Sequence, residues 1–137
     1  AARNAVEVVE SVYEPESWEA ATADVRDDPE TRCPRCYAMR LDLVAAEGER
    51  LGCDALATTL SVSPYQNLDA INAAGERAAG RHGLTWLAED YRARYPEATR
   101  RSREAGMYRQ NYCGCLPSMA EAQAERARRR LQRAGRK

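Results

Sequence analysis

Apolar residues recur along the chain at spacings that predict alternating strands and helices. Alternating valines predict a strand over residues 5–13, and residues 15–24 are predicted to form a short helix anchored by Trp18. After a predicted loop at 27–32, Pro34 occupies the position of a first helical residue. Apolar positions then repeat every three to four residues up to Gly52, which predicts one long helix. The repeating positions are Tyr37, Leu41, Val44, Gly48 and Leu51.

The second half of the chain continues the alternation. Residues 55–62 are rich in β-branched side chains and predict a buried strand. The remaining predicted elements are a helix over 68–82 closed by Gly83, a strand over 84–88, a helix over 96–105 and a basic helix over 118–133.

Strands separated by helices of this length indicate an α/β fold, with a parallel sheet and helices packed against it. Three strands make a thin sheet, so we expect an N-terminal strand–helix unit to be missing or supplied differently. The predicted organisation is an α/β domain over residues 1–117, incomplete at its N-terminus, and a basic helical tail over 118–137.

Composition places the protein among ordinary folded chains, with 44% hydrophobic and 31% charged residues. No apolar run is long enough to span a bilayer and no signal peptide is evident, so we expect a cytoplasmic protein without a membrane partner. The net charge of zero hides an acidic start and an arginine-rich end. Such a basic half suggests a polyanionic partner, although a solvated helix explains it equally well.

Four of the five cysteines form two close pairs. Cys33 and Cys36 are spaced as CxxC at the predicted start of a helix, where the helix dipole favours thiolates. Cys113 and Cys115 flank one glycine, and this spacing suits either a strained disulfide or two thiolates on one metal. The alternative is one structural zinc ion held by all four thiolates. Cys53 is predicted to be a small buried apolar residue.

Three stretches of the sequence resemble the epoxyqueuosine reductase QueH family: RCPRCYAMRL at 32–41, TTLSVSPYQN at 58–67 and MYRQNYCGC at 107–115. The family's N-terminal motif of two adjacent cysteines has no counterpart here, where Cys33 is the first cysteine. The resemblance implies a Rossmann-like fold of the HUP type. It also implies a reductase that converts epoxyqueuosine in tRNA to queuosine with iron–sulfur chemistry, using tRNA with a queuosine-type anticodon loop and an external electron donor.

Roles for the cysteines follow from the resemblance, and roles for the tyrosines and arginines follow from the chemistry of their side chains, although Tyr65 and Tyr112 could equally well be packing residues. Cys33 and Cys36 would be ligands of a 4Fe–4S cluster. Cys113 and Cys115 would be a redox-active pair or ligands of a neighbouring mononuclear iron or zinc ion. Tyr108 and Arg109 join the two late cysteines as candidate catalytic residues. Candidate substrate and tRNA contacts are Arg32, Arg40, Ser63, Tyr65, Tyr112, Arg100 and Arg101, with phosphate contacts from Arg126, Arg128, Arg129, Arg130 and Arg133.

Two other functions fit parts of the pattern. A zinc-stabilised nucleic-acid-binding module without catalysis would use the cysteines and the arginines. A thioredoxin-like dithiol reductase would use the CxxC pair, but its cysteines would directly follow a strand and here a loop is predicted before them. His82, the only histidine, is predicted to be structural.

Overall fold

The computed structural model describes residues 6–12 and 14–135 of the chain. Within this part there are five α-helices and a small parallel sheet. The elements are α1 (Pro15–Thr22), α2 (Pro29–Arg50), β1 (Ala55–Leu56), α3 (Leu68–Arg81), β2 (Thr85–Trp86), α4 (Tyr95–Glu104) and α5 (Leu116–Ala134). Single 3₁₀ turns lie at Ala23–Val25, Leu60–Val62 and Arg92–Arg94.

Helix α2 begins five residues earlier than the sequence predicts. The Asp28 carboxylate accepts a hydrogen bond from the Glu30 backbone N–H at 3.1 Å, and Pro29 takes the first helical position. The predicted loop at 27–32 is therefore wrong, and Pro34 lies inside the helix. The CxxC pair lies beyond the first helical turn, where the helix dipole has largely faded, so the dipole argument for its thiolates fails.

The core lies between α2 and α3. Its buried apolar residues are Tyr37, Leu41, Ala45, Leu56, Ile71, Ala74, Ala78 and Ala79. Val44 and Leu51, predicted on the apolar stripe of α2, are 52% and 47% exposed, because the buried stripe instead continues from Leu41 to Ala45. Close packing of α3 on β2 requires a glycine at position 75, since a Cβ atom there would lie 2.4 Å from the Trp86 ring.

The sheet has two parallel strands in the described part of the chain, paired as Ala55 with Thr85 and Leu56 with Trp86. Helix α3 connects them, so the α/β class is confirmed by a β1–α3–β2 unit. The prediction of three longer strands is wrong: residues 6–12 have no regular secondary structure, and the strand predicted over 55–62 ends at Leu56. A Rossmann-like sheet stays a prediction.

The predicted helix ends are confirmed more closely than the strands. Gly52 and Gly83 follow α2 and α3 with φ values of 71° and 67°, which is the backbone conformation that stops a helix. The predicted helices over 15–24, 68–82, 96–105 and 118–133 correspond to α1, α3, α4 and α5. None of the helices in the described residues is both long and apolar enough to cross a membrane. The division into domain and tail at residue 118 stays a prediction.

Candidate functional site

Both cysteine pairs line a single pocket, which we call the thiol pocket. Cys33 and Cys36 reach it from α2, and Cys113 and Cys115 reach it from the segment before α5. Stretches that are far apart in sequence are therefore brought together by the fold. The other lining residues are Trp18, Arg32, Tyr37, Arg40, Leu60 and Gln66.

The late pair is held in a tight turn at the start of α5. Gly114 has a φ of 117°, which other residues rarely adopt, and the Cys113 and Cys115 sulfurs lie 3.5 Å apart as free thiols. Ser118 braces this turn. Its hydroxyl oxygen lies 3.0 Å from the Cys113 sulfur, accepts a hydrogen bond from the Cys113 N–H at 3.2 Å and donates one to the Cys115 carbonyl at 3.1 Å.

The two thiols of the late pair are not equivalent. Burial raises the pKa of Cys115 above its usual value. Burial would also raise the pKa of Cys113, but its hydrogen bonds with the Ser118 side chain and the Cys115 backbone outweigh that effect and lower the pKa. Cys113 is consequently the better thiolate, and Cys115 is the partner that keeps its proton.

The early pair is more enclosed. Burial raises the pKa of Cys33, and the positive charge of Arg32 opposes that rise. The indole N–H of Trp18 donates a hydrogen bond to the Cys36 sulfur at 3.2 Å, so α1 closes over this thiol. The sequence predicts Trp18 as an apolar anchor, and its polar contact with Cys36 carries no recognisable signal in the sequence.

Arg32 lies within the protein and is 1% exposed. Its guanidinium donates hydrogen bonds to the Arg26 carbonyl and, at 2.9 Å, to the Glu121 carboxylate on α5. Its Nε atom is buried and has no hydrogen-bond partner within residues 6–12 and 14–135. Arg32 is therefore unavailable to a tRNA phosphate on the outer surface, although it lines the thiol pocket.

Tyr37 and Gln66 connect two of the sequence motifs. The buried Tyr37 hydroxyl donates to the Gln66 side-chain oxygen, and burial raises the pKa of Tyr37 to about 12. The phenol thus stays protonated at neutral pH. The apolar repeat predicts Tyr37 only as a core position, and the sequence carries no signal of its contact with Gln66.

Comparison with known proteins decides the family. The model of the family described as "Epoxyqueuosine reductase QueH" matches residues 1–121. The chain belongs to the QueH family.

Curated relatives carry the same name. The epoxyqueuosine reductase QueH of Thermotoga maritima is 35% identical over 121 residues, covering 85% of this chain and 63% of the relative. That of Streptococcus pyogenes is 31% identical over 117 residues, covering 82% of this chain and 46% of the relative. The chain thus spans between about half and two thirds of the length of these QueH relatives.

The QueH motifs supply sulfur donors of the kind that iron–sulfur clusters take, since four cysteine thiols line one pocket. In the described residues, no three Cys, His, Asp or Glu side chains are close enough to hold an ion as they stand. A metal centre in the thiol pocket would therefore require the two cysteine segments to move closer together. Cys53 lies outside the pocket lining and is exposed, so the prediction that it is buried is wrong.

The remaining QueH candidate residues lie at the surface. Tyr65 and Tyr108 are 83% and 84% exposed, and the Tyr65 ring packs only edge-on against Tyr95. Arg40 is exposed at the lining of the thiol pocket, whereas Tyr112 and Ser63 are partly exposed. The other exposed candidates are Arg100, Arg101, Arg109, Arg126, Arg128, Arg129, Arg130 and Arg133.

Some of these surface arginines form ion pairs. Arg100 pairs with Glu104, Arg101 with Glu97 and Arg129 with Glu125. Such exposed pairs are weak and can exchange for phosphate contacts. His82 contacts the carboxylates of Asp42 and Glu49 at 3.4 Å and 2.7 Å and so ties α3 to α2, a structural position.

Proposed function

We propose that this protein reduces epoxyqueuosine to queuosine in tRNA, with the thiol pocket as its redox centre. The observation that carries the proposal is the meeting of Cys33, Cys36, Cys113 and Cys115 in one pocket of a QueH-family chain. The relatives named epoxyqueuosine reductase support the same reaction.

The late cysteine pair matches the stoichiometry of this reaction. Conversion of an epoxide to an alkene removes one oxygen as water and consumes two electrons and two protons. Oxidation of the Cys113 thiolate and the Cys115 thiol to a disulfide releases two electrons and one proton, solvent water supplies the second proton, and the two sulfurs already lie 3.5 Å apart. An external electron donor then restores the dithiol. The pair can therefore supply the whole reducing equivalent of one turnover.

Residues of the pocket have different roles in proton transfer. Cys113 is the better thiolate, since hydrogen bonds with Ser118 and the Cys115 backbone lower its pKa, and Cys115 holds one of the two protons that the departing oxygen needs. The Tyr37 hydroxyl keeps its proton, donates a hydrogen bond to the Gln66 side-chain oxygen and so positions that side chain. A 4Fe–4S cluster bound by Cys33 and Cys36 would supply single electrons, and an iron or zinc ion beside it would polarise the epoxide oxygen.

Exposed aromatic and basic side chains of this protein would contact the anticodon loop. Single-stranded bases stack on exposed aromatic side chains, and Tyr65 and Tyr108 offer two such faces. Arg109, with Arg100 and Arg101 on α4, would contact phosphates, and the arginines of α5 would extend this basic surface. The phosphate contacts would add affinity for tRNA, and stacking on a tyrosine would direct the modified base toward the thiols.

The test measures turnover and tRNA affinity separately. Cys113→Ser and Cys115→Ser are each expected to abolish queuosine formation while leaving tRNA affinity within about twofold, because neither thiol contacts phosphate in this proposal. Cys53→Ser is the matched control and should leave both quantities unchanged. Full turnover by Cys113→Ser would remove the dithiol from the mechanism. A colourless protein that contains zinc after anaerobic purification would favour the nucleic-acid-binding module.

A further inference from the structure

The thiol pocket contains a buried positive charge that the proposed mechanism does not use. Arg32 precedes Cys33 directly, lines the pocket and is 1% exposed. The thiols of Cys33 and Cys115 line the same pocket as its side chain. Unlike every other arginine of the described residues, Arg32 is buried.

The hydrogen bonds of Arg32 leave this charge only partly compensated. Glu121 is its one carboxylate partner in the described residues, and that side chain is 49% exposed, so solvent screens the pair. Its Nε–H group finds no acceptor among the residues that the structure describes. An unpaired buried donor is unfavourable, and a buried cation calls for an anion beside it.

Thiolates that hold a metal would be such an anion. In the reduced chain, four cysteine thiolates gathered around one divalent probe ion would carry two net negative charges, and bringing the two pairs together would increase their mutual repulsion. A fixed cation beside them offsets this repulsion. Arginine suits the task because its guanidinium stays charged when buried and offers several donors in a fixed plane.

We propose that Arg32 balances the negative charge of a thiolate-held metal in the thiol pocket, and that Glu121 competes with the thiolates for the same guanidinium. This inference rests on the proposed function only in assuming that the pocket binds a thiophilic metal. It gives Arg32 and Glu121 opposite effects on metal affinity, although they form one ion pair.

Cadmium titration of the reduced chain under anaerobic conditions tests the inference without any turnover assay. Thiolate-to-cadmium charge transfer reports binding, and competition with a chelator gives the affinity at fixed pH. Arg32→Met should weaken Cd²⁺ binding about 10- to 100-fold, the usual loss when a group that supports metal ligands is removed. Arg32→Lys, which keeps the charge, should lose less.

Two further variants separate charge from architecture. Glu121→Gln keeps the Arg32 cation and removes its competitor, so cadmium affinity should stay equal or rise. If the Arg32–Glu121 pair merely holds α5 in place, Glu121→Gln would weaken binding as Arg32→Met does. Arg35→Met removes an exposed arginine of the same helix, paired with Asp24, and should have less effect than Arg32→Met.

Each outcome has a definite meaning. Equal affinities for wild type and Arg32→Met, or equal losses for Arg32→Met and Arg35→Met, would overturn the charge-balancing role while leaving the metal site intact. A loss for Arg32→Lys as large as that for Arg32→Met would do the same. A wild-type chain that binds no Cd²⁺ would overturn the metal centre itself. Thermal unfolding of each variant identifies a loss that reflects misfolding, and in that case Glu121→Gln decides.

Discussion

Replacement of Ser118 by alanine should slow the reaction of Cys113 with alkylating agents. The hydroxyl lies 3.0 Å from the Cys113 sulfur and makes two further hydrogen bonds that shape the turn. Without it, the pKa of Cys113 rises toward the value that burial favours, and less thiolate is present at neutral pH.

The expected size of this effect follows from the environment of Cys113. Hydrogen bonds to charged groups contribute about 1.5–3 kcal/mol. The pocket partly desolvates the Cys113 sulfur, but the residue as a whole is exposed, so solvent replaces part of the lost hydrogen bond. A residual loss of about 1 kcal/mol corresponds to about a fivefold decrease in thiolate, and in alkylation rate.

The assay measures iodoacetamide alkylation at pH 7 on a background in which Cys33, Cys36 and Cys53 are serine. Mass spectrometry of the peptide separates modification of Cys113 from that of Cys115. Ser118→Thr keeps a hydroxyl and should react at nearly the wild-type rate. Ser102→Ala, which removes a hydroxyl bonded to a carbonyl within α4, is the control. An unchanged rate for Ser118→Ala would refute the proposed stabilisation of the Cys113 thiolate.

Further predictions concern the packing of α3. Gly75→Ala should lower the free energy of unfolding by about 1–3 kcal/mol, since its methyl group would overlap the Trp86 ring. Gly80→Ala meets no neighbour and should raise the free energy of unfolding by about 0.5–1 kcal/mol. Urea unfolding compares the two variants, and equal effects would refute the close approach of α3 to Trp86. Glu49 raises the pKa of His82, so this contact stabilises the fold below about pH 6.5 and the stabilisation disappears as pH rises through the raised pKa. Glu49→Gln should therefore lower the urea midpoint at pH 6 and leave it unchanged at pH 9; a loss of equal size at both pH values would contradict the assignment.

Helices were predictable from this sequence because their signals are local. A glycine with positive φ ends α2 and another ends α3, and each lies where the apolar repeat stops. The start of α2 was misplaced because two prolines compete for the first helical position. Asp28 favours Pro29 by capping the helix there, and this cap was overlooked.

Strands were less predictable because their pairing depends on distant residues. Alternating valines over residues 6–12 have the pattern of a strand but find no sheet partner in the described structure. The run after Leu56 is β-branched, yet Thr58 accepts a hydrogen bond from the Leu60 N–H and the chain turns.

The cysteines of the candidate site could be predicted, whereas the residues that support them could not. Their close spacing in two pairs identifies Cys33, Cys36, Cys113 and Cys115 as candidate site residues from the sequence alone. Ser118 contacts the late pair only because the chain reverses at Gly114, which makes its role a product of the fold.

The sequence does not show which arginine is buried and which are exposed. Arg32 was grouped with the tRNA contacts, but the fold buries it against α5 through Glu121. The exposed arginines of α4 and α5 look identical to it in sequence. Burial of a charge depends on a partner 89 positions away, which no local pattern contains.

The central claim is that sulfurs from two distant stretches of the sequence lie in one pocket. A short fluorogenic reagent that bridges two thiols tests this claim most directly. In a variant whose only cysteines are Cys33 and Cys115, we expect rapid intramolecular bridging and one cross-linked peptide pair. In the matched variant whose only cysteines are Cys53 and Cys115, we expect none, since Cys53 lies beyond the far end of α2. Equal bridging in the two variants, or none between Cys33 and Cys115, would contradict the shared pocket.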